Sequence, residues 1–480
     1  MTMMMNRARV VLWRRGRRAL NSAAAAATGP MAAEARPKAV VLTGPTAVGK
    51  TDLSIRLARI LNAEIVSADS VQVYKGMDIG SDKVSPEHRQ AVKHHLIDTC
   101  DIYDTYSSGD FFQHAMDLCQ DIASRGKTPL IVGGTWFYLN FLLNGRPAAP
   151  RADVVLEDQI LREYDGGSDW DRAHADLHAV DPESAARIDR NDWYRLTRAM
   201  SVYRMSGRPF SSYKHEVSRT SRECLEPGLS SAFDVTRLYL TAPRWLLFER
   251  INQRCEHIVD RGIMEETLRL VEEGLEGQMH AAKSIGYRQC FEFLHSFWLK
   301  PSTKTKLMRR KGFYRFLLNY MAATRRLCAK QMRSFRADPS YAWIVRDETT
   351  SEDQLVEQIM GLINKEVEAE ALGAWDRKLN ADNLSLLKGH LPTLEVYDDV
   401  ERVDETMLAL EEAVVATGRA MGWRVEHLEA AQVPEPKRLR AEKATHTRGD
   451  RRKNRWLTRV RLDPKMAKKK AARIEELKYE

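Results

Sequence analysis

The stretch AVVLTGPTAVGKT, residues 39–51, decides the fold of this chain. Its apolar start predicts a buried strand, and Leu53, Leu57 and Ile60 beyond it have the spacing of an amphipathic helix. Between them, the pattern GxxxxGKT is typical of a phosphate-binding loop, whose backbone N–H groups bind an anion together with the helix N-terminus. The predicted anion site comprises Gly44, Pro45, Thr46, Ala47, Val48, Gly49, Lys50 and Thr51. In this pattern Lys50 bridges phosphate oxygens and the Thr51 hydroxyl binds Mg²⁺.

Further short apolar runs alternate with helical spacing along the chain. Residues 38–42, 64–67, 129–132 and 237–240 have the length and composition of buried strands. Such alternation predicts an α/β fold: a P-loop parallel sheet core with a helical insertion domain and a helical C-terminal extension. The predicted division is a basic leader (1–33), the first part of the core (37–140), the insertion (141–230), the rest of the core with basic helices (231–346), an acidic extension (347–433) and a basic tail (434–480).

The net charge of +9 is concentrated at the two ends. Residues 1–33 hold six arginines and no acidic residue, a composition typical of a mitochondrial presequence. The alternatives are a basic arm that contacts RNA and an upstream extension that is rarely translated. A second start at Met31 would give a cytoplasmic form. Residues 437–480 hold 17 Lys or Arg against 6 Asp or Glu, which predicts tRNA binding, nuclear import or a solvated arm.

Hydropathy and cysteine usage exclude some classes of protein. No apolar run approaches the roughly 20 residues that cross a bilayer, so no membrane span is expected. The cysteines are scattered without a CxxC pair, which argues against a disulfide framework and a zinc site and predicts packing roles. They are Cys100, Cys119, Cys224, Cys255, Cys290 and Cys328.

A carboxylate follows the second predicted strand, in SADSVQVYKGMDIGSDK at residues 67–83. Open α/β sheets place their chemistry at the carboxyl ends of strands, beside a phosphate loop. Asp69 is therefore predicted to act as a base or to bind Mg²⁺ through water, and the alternative is a turn cap. At this stage phosphate binding alone favours a nucleoside or nucleotide kinase.

Seven ordered stretches give the chain a resemblance to the tRNA dimethylallyltransferases (tRNA isopentenyltransferases). They are GPTAVGKT, SADSVQVYKGMDIGSDK, HHLID from His94, YSSGDFF from Tyr106, IVGGTWFYL from Ile131, NDWYRLTRAMSVYRMSG from Asn191 and SIGYRQ from Ser284. Members transfer a dimethylallyl group from dimethylallyl diphosphate to N6 of adenosine 37 in tRNA and release diphosphate. The resemblance implies that the loop holds the diphosphate with Mg²⁺, and that the protein is a monomer.

The resemblance also assigns roles to individual residues. Asp69 matches the family's proposed general base, and Thr46 matches a loop threonine that contacts the diphosphate. Arg250 and Arg254 match a helix that supplies positive charge to the leaving group. A carboxylate can direct the weakly nucleophilic amine and accept its proton. Fixed cations and loop amides can stabilise the departing diphosphate.

On the RNA side, the base must leave the stacked anticodon loop to reach a buried carboxylate. The implied partner is a tRNA anticodon stem-loop with adenosines 36, 37 and 38. The implied tRNA contacts are Asp69, Ser70, Val71, Gln72, Thr135, Tyr194, Arg195, Leu196, Thr197, Arg198, Lys283, Ser284, Ile285, Gly286, Tyr287 and Arg288. The basic run at residues 324–336 is predicted to hold the tRNA backbone. No cysteine follows Cys328, so the zinc finger of many eukaryotic members, and zinc itself, are not expected.

Three hypotheses follow from these features. The first is a tRNA prenyltransferase. The second is an enzyme acting on a free nucleotide, either an adenylate isopentenyltransferase or a P-loop nucleotide kinase. The third is an RNA-binding protein that has lost its catalysis. The stretch NDWYRLTRAM and the basic run favour an RNA substrate, while intact Lys50, Thr51 and Asp69 argue against lost catalysis.

Overall fold

In a computed structural model of the chain, the described residues are 36–147, 149–151, 153–215, 225–277, 279–298, 306–366, 392 and 394–421. The predicted leader and basic tail lie outside them. The fold described below belongs to the unit Lys38–Glu480. Within the described residues, no helix has the length and apolarity that a membrane crossing needs.

The centre of the fold is a six-stranded parallel sheet with the order β3-β2-β4-β1-β7-β8. Strand β1 lies between β4 and β7, with Val40 opposite both Leu130 and Thr236. Its alternate side chains enter two cores, Ala39 and Val41 on one face of the sheet and Val40 and Leu42 on the other. The sheet strands are β1 (Lys38–Thr43), β2 (Ala63–Ser67), β3 (His94–His95), β4 (Thr128–Gly133), β7 (Asp234–Thr241) and β8 (Ala342–Val345), and β5 (Arg146–Pro147) pairs separately with β6 (Leu225–Glu226). The predicted α/β class with a parallel sheet is confirmed.

Helices cover both faces of the sheet and supply the remaining units. The helices are α1 (Lys50–Ile60), α2 (Pro86–Ala91), α3 (Ser108–Ser124), α4 (Trp136–Asn144), α5 (Val154–Glu163), α6 (Trp170–Val180), α7 (Pro182–Arg187), α8 (Trp193–Ser206), α9 (Phe210–His215), α10 (Leu229–Ala232), α11 (Arg244–Asp260), α12 (Ile263–Glu272), α13 (Tyr287–Trp298), α14 (Lys306–Arg336), α15 (Glu352–Asn364) and α16 (Val400–Ala420). In α1, Leu53 and Leu57 are buried as their spacing predicts, whereas Ile60 is exposed. Helix α3 begins at a capping box in which Ser107 and Asp110 satisfy each other's backbone N–H groups.

The helical insertion has a core of its own. Helices α5 to α8 bury Ile160, Trp170, Leu177 and Leu196 against one another. Sequence patterning predicted no strand here, but the short antiparallel pair β5–β6 joins the two ends of the insertion. Its residues were missed because a two-residue strand has no periodicity to detect.

The described part of the acidic extension packs on the core. Helix α15 contacts α1, β7 and β8, and α16 contacts α12 and α14. The buried Glu256 carboxylate on α11 accepts backbone N–H groups of Glu395 at 2.9 Å and Tyr397 at 3.2 Å. An ion pair of 3.0 Å joins Arg309 of α14 to Glu411 of α16. A buried carboxylate of the core and an ion pair therefore attach the extension to the core.

Candidate active site

The phosphate loop, residues 44–51, connects the end of β1 to α1. Gly44 and Gly49 have φ values of +155° and +92°, and a Cβ on Gly44 would lie 2.2 Å from the Leu240 carbonyl oxygen. Only glycine fits there. The Lys50 Nζ donates to the carbonyl oxygens of Gly44 at 2.9 Å and Pro45 at 2.8 Å. The lysine side chain is therefore folded back over its own loop.

The ammonium of Lys50 has an unusual electrostatic environment. Desolvation by burial, with a further contribution from the nearby Arg254, lowers the pKa of Lys50 to about 8, while the Asp69 carboxylate opposes the shift. Both the predicted base and a predicted cation thus act on the loop lysine. An anion in the loop would favour its charged form.

Thr46 links the loop to two distant helices. Its Oγ1 accepts a hydrogen bond of 2.6 Å from Arg254 Nη1 on α11. Its backbone N–H donates to Gln331 Oε1 on α14 at 3.0 Å, and Gln331 Nε2 donates to the Gly134 carbonyl oxygen at 3.1 Å. Gln331 thereby bridges the phosphate loop and the turn after β4, a role that no feature of the sequence indicated.

Of the two predicted arginines, Arg254 is the one hydrogen-bonded to the loop. Its Nε donates to Asp82 Oδ2 at 2.9 Å. Arg250 lies one turn earlier on α11. Its burial, and to a smaller extent the charge of the nearby Arg346, lower its pKa. Arg346 follows β8 and was not predicted; its Nη1 would lie 2.2 Å from a Cβ on Gly49. Positive charge therefore reaches the loop from both α11 and the edge strand of the sheet.

Asp69 lies at the carboxyl end of β2, beside the loop. Its Oδ1 accepts the backbone N–H of Val71 at 2.8 Å and, at a longer 3.4 Å, that of Gln72. The turn cap that was considered as an alternative is thus present, but it uses one carboxylate oxygen. Within the described part of the chain, Oδ2 makes no hydrogen bond, so this half-buried group retains an acceptor.

The turn after β4 packs against Ala68, the residue before Asp69. A Cβ on Gly133 would lie 2.2 Å from the Ala68 carbonyl oxygen, and the Thr135 N–H donates to that oxygen at 3.3 Å. Thr135 is therefore close to Asp69. The resemblance implies that Thr135 contacts the reacting base of the tRNA, which stays a prediction. Both residues occupy the edge where the carboxyl ends of parallel strands meet.

A buried carboxylate holds the segment that follows Asp69. Glu266, 6% exposed, accepts the N–H groups of Asp78, Ile79 and Gly80 at 2.9, 2.8 and 3.0 Å. It also accepts the Tyr287 hydroxyl at 2.6 Å. Tyr287 is consequently a buried support for this segment. The prediction that its side chain contacts tRNA is wrong, because the ring is buried and its hydroxyl is bonded to Glu266.

The predicted tRNA surface is narrower than the sequence motifs imply. Leu196, Thr197, Gly286 and Tyr287 are buried, because a motif read as continuous letters includes the inner face of each helix. The exposed members are Ser70, Tyr194, Arg195, Lys283 and Arg288, and the half-buried ones are Val71, Gln72, Thr135, Arg198, Ser284 and Ile285.

Two of the predicted tRNA segments lie close together. The rings of Tyr194, 54% exposed, and His280 meet edge to face with centroids 5.3 Å apart. This contact brings the start of α8 beside the loop that contains Lys283. Arg198 instead donates to the Pro150 carbonyl oxygen and lies over the Phe210 ring at 5.9 Å, so its contacts are structural.

The basic run on α14 presents one charged face. Arg326, Lys330 and Arg333 are exposed and spaced by four and three residues, which places them on one side of the helix. Arg325 points elsewhere and donates to Asn252. The exposed face suits a phosphate backbone.

The donor set of the site fits Mg²⁺ that is carried largely by substrate phosphates. The Thr51 hydroxyl is exposed in the first turn of α1, and Asp69 lies beside the loop. Among the described residues, no group of three or more His, Cys, Asp or Glu could hold a metal ion. Mg²⁺ usually keeps several bound waters and takes only one or two ligands from the protein, which is consistent with this site. Cys100, Cys119, Cys255, Cys290 and Cys328 are buried and free, and Cys224 lies outside the described residues.

The chain is similar to several known proteins. A tRNA dimethylallyltransferase of Chlamydia caviae is 38% identical over 256 residues, covering 53% of this chain and 72% of that protein. The tRNA dimethylallyltransferase 9 of Arabidopsis thaliana is 34% identical over 335 residues, covering 64% and 71%. A solved eukaryotic dimethylallyltransferase acting on tRNA superposes with a TM-score of 0.55 at 24% identity, over 76% of this chain and 90% of that chain, and supports the fold alone.

Membership of a family rests on a further match. The model of the family described as IPP transferase matches residues 72–338, which is more than half of the chain. That range runs from the segment after Asp69 through Arg254 and Gln331. With the Arabidopsis relative, the match shows that this chain belongs to the IPP transferase family.

Proposed function

We propose that this protein is a tRNA dimethylallyltransferase, which joins the dimethylallyl group of dimethylallyl diphosphate to N6 of adenosine 37 in tRNA and releases diphosphate. The observation that carries the proposal is that the charges of Asp69 and Arg254 both act on Lys50 of the loop, while Arg254 donates a hydrogen bond to Thr46. A base and a leaving-group site thus share one edge of the sheet. The names of the relatives support the same activity.

On the acceptor side, Asp69 directs the adenine amine. The carboxylate oxygen outside the turn accepts a hydrogen bond from N6 and holds the amine toward the allylic carbon. As the new N–C bond forms and the allylic C–O bond breaks, the amine proton passes to this carboxylate. Because Oδ1 is fixed by the N–H of Val71 at 2.8 Å, the carboxylate keeps its orientation.

On the donor side, the protein stabilises charge on the departing diphosphate. Loop N–H groups and Arg254 lie at the loop before the reaction, which limits the reorganisation during bond breaking. Lys50, which donates to the Gly44 and Pro45 carbonyl oxygens, would turn toward the bound diphosphate. Thr46 holds one end of Arg254 at 2.6 Å. The Thr51 hydroxyl would hold Mg²⁺, which supplies further positive charge to the diphosphate oxygens when bound.

The tRNA contacts of this proposal follow the exposed residues. Tyr194 offers a ring for stacking a base, while Arg195, Lys283 and Arg288 offer charge to phosphates. The face formed by Arg326, Lys330 and Arg333 would add salt-dependent, sequence-independent affinity. We propose that a monomer binds the anticodon stem-loop in this way.

For localisation we propose import into mitochondria by residues 1–33, with a cytoplasmic form from Met31 and nuclear entry through the basic tail as a further route. The observation behind this is the leader's six arginines without an acidic residue. A fluorescent fusion of residues 1–33 is expected to enter mitochondria, and a diffuse cytosolic signal would reject the leader.

One assay distinguishes the three hypotheses. The full-length protein is incubated with radiolabelled dimethylallyl diphosphate and either tRNA with adenosines 36–38, the same tRNA with guanosine 37, or AMP. Label is expected only in the first tRNA, with release of diphosphate. Label in AMP alone would establish the free-nucleotide enzyme. Tight tRNA binding without transfer of label would indicate an RNA-binding protein that has lost its catalysis.

A further inference from the structure

Asp82 lies between two arginines at the end of the segment that begins with Asp69. Its Oδ2 accepts Arg254 Nε at 2.9 Å, and its Oδ1 accepts Arg261 Nη1 at 2.7 Å. Both oxygens of one carboxylate are therefore engaged by guanidinium groups. The backbone of Asp82 has a φ of +51°, a region that a non-glycine residue occupies only when its surroundings fix it.

The contact with Asp82 determines the direction of Arg254. A guanidinium is planar and rigid, so holding its Nε edge sets where its terminal nitrogens point. In Arg254 the held edge faces Asp82, while Nη1 donates to Thr46 Oγ1 at 2.6 Å. Asp82 thus aims the arginine at the phosphate loop.

Asp82 is also connected to the acceptor side. The Gln72 side-chain Nε2 lies 3.4 Å from the Asp82 carbonyl oxygen, and the Gln72 N–H lies 3.4 Å from Asp69 Oδ1. These are long hydrogen bonds, but they belong to a segment whose middle is fixed by Glu266. The residue that caps one end of this segment is the predicted base, and the residue at its other end orients the leaving-group arginine.

The charges agree with this arrangement. Burial alone would raise the pKa of Asp82, but the charges and hydrogen bonds of Arg254 and Arg261 lower it below the ordinary value. The carboxylate therefore stays ionised at neutral pH. Arg254 keeps a partner on the side away from the loop.

We propose that Asp82 is a positioning residue for departure of the diphosphate, acting by holding Arg254 toward Thr46 and the loop. The inference rests on the proposed function. It does not give Asp82 contact with a substrate. Loss of Asp82 should leave Arg254 charged but misdirected, and a displacement of about 1 Å at a reacting group can cost about 10²-fold in rate.

The test uses Asp82→Ala and Asp82→Asn in the full-length protein, with Asp101→Asn as the control. Asp101 pairs with Lys75 at 2.9 Å on the exposed surface. For Asp82→Ala, kcat/KM for dimethylallyl diphosphate is expected to fall about 10²-fold, with Kd for tRNA within twofold of wild type. Asp82→Asn keeps one acceptor and should fall less, and the control should not change.

A double variant separates positioning from mere stability. If Asp82 acts through Arg254, Asp82→Ala should add little to the loss already caused by Arg254→Ala. Additive effects, or an Asp82→Ala variant within twofold of wild type, would overturn the inference while tRNA prenylation by the wild type stands. If Asp82→Ala does not fold, the same comparison is made with Asp82→Asn.

The two proposals can fail separately. If the wild type transfers no prenyl group to tRNA, the proposed function fails. The Kd for inorganic diphosphate, measured by calorimetry, then decides the role of Asp82. A Kd raised at least tenfold in Asp82→Ala, and not raised further by Arg254→Ala, would support positioning. An unchanged Kd would reject it.

Discussion

The Thr46 hydroxyl accepts a hydrogen bond of 2.6 Å from the Arg254 guanidinium, and the two residues are 208 positions apart in sequence. Neither residue belongs to the invariant letters of the pattern GxxxxGKT. The contact joins the phosphate loop to α11 and distinguishes Arg254 from Arg250. It gives the loop a cation that the general phosphate-loop pattern does not specify.

The first prediction concerns this pair. Thr46→Val removes the hydroxyl but keeps the shape, and Arg254→Ala removes the donor. Each variant should lower kcat/KM for dimethylallyl diphosphate, and the double variant should lose less than the sum of the two. Hydrogen bonds to charged groups are worth about 1.5–3 kcal/mol, which sets the expected coupling. Thr105→Val, on the exposed surface, is the control. A coupling near zero would mean that the contact does not persist during the reaction.

The second prediction separates the two roles of Asp69. Asparagine can accept the Val71 N–H as aspartate does, but it is a poor base. Asp69→Asn should therefore keep the melting temperature of the wild type while kcat falls by a factor of about 10² to 10⁴. Steady-state assays with tRNA measure the fall. Asp158→Asn, on the exposed side of α5, should be neutral. Normal turnover of Asp69→Asn would remove the residue from the proton transfer.

The third prediction is a pH dependence of diphosphate binding. The pKa of Lys50 is lowered to about 8 in the free protein, so above pH 8 the ammonium loses its proton. Bound dimethylallyl diphosphate, whose terminal phosphate is already ionised there, favours the charged form and raises the pKa of Lys50. Affinity for dimethylallyl diphosphate should therefore fall as the pH rises through 8. At about half a unit above that pKa, near pH 8.5, binding should be accompanied by proton uptake.

Calorimetry in buffers of different ionisation enthalpy measures that proton uptake. Lys50→Arg keeps its charge and should abolish the uptake, even where its affinity is lower. Lys75→Gln removes an exposed lysine and should leave the uptake unchanged. Proton release, or none, would show that Lys50 is already charged in the free protein.

The fourth prediction concerns the attachment of the extension. The pKa of Glu256 is raised by burial, while the N–H groups of Glu395 and Tyr397 oppose the shift. Glu256→Ala leaves both N–H groups without their acceptor and should reduce the free energy of unfolding by about 2 kcal/mol. Faster hydrogen exchange at those two amides is the measurement. Glu405→Gln, an exposed change on α16, should alter neither.

Local pattern explains what the sequence predicted well. The phosphate loop depends on glycines and a lysine within eight residues, and Asp69 on the end of a neighbouring strand. By contrast, β8 is four residues long and becomes a strand only by pairing with β7. Arg346 and Gln331 reach the loop because β8 and α14 pack beside it, and no local pattern reports that packing.

Helical periodicity explains why the predicted tRNA contacts include residues that are buried. Within α8, Leu196 and Thr197 face the core of the insertion while Arg195 faces outward. A contiguous motif cannot separate these two faces, although a spacing of 3.6 residues does. Asp82 was missed for another reason: its importance comes from Arg254 and Arg261, which are far away along the chain.

The position of β1 in the sheet has a consequence for synthesis. This strand leaves the ribosome early, yet one of its two neighbours is β7, in a register that pairs Lys38 with Asp234. Translation at about 5–20 residues per second delays that partner by about 10–40 s. In nascent chains stalled before Asp234, the phosphate loop at residues 44–51 should therefore be cleaved by protease. In chains extended beyond Thr241, the loop should be protected. The first strand of the sheet to be synthesised thus gains its second partner only when β7 has followed it.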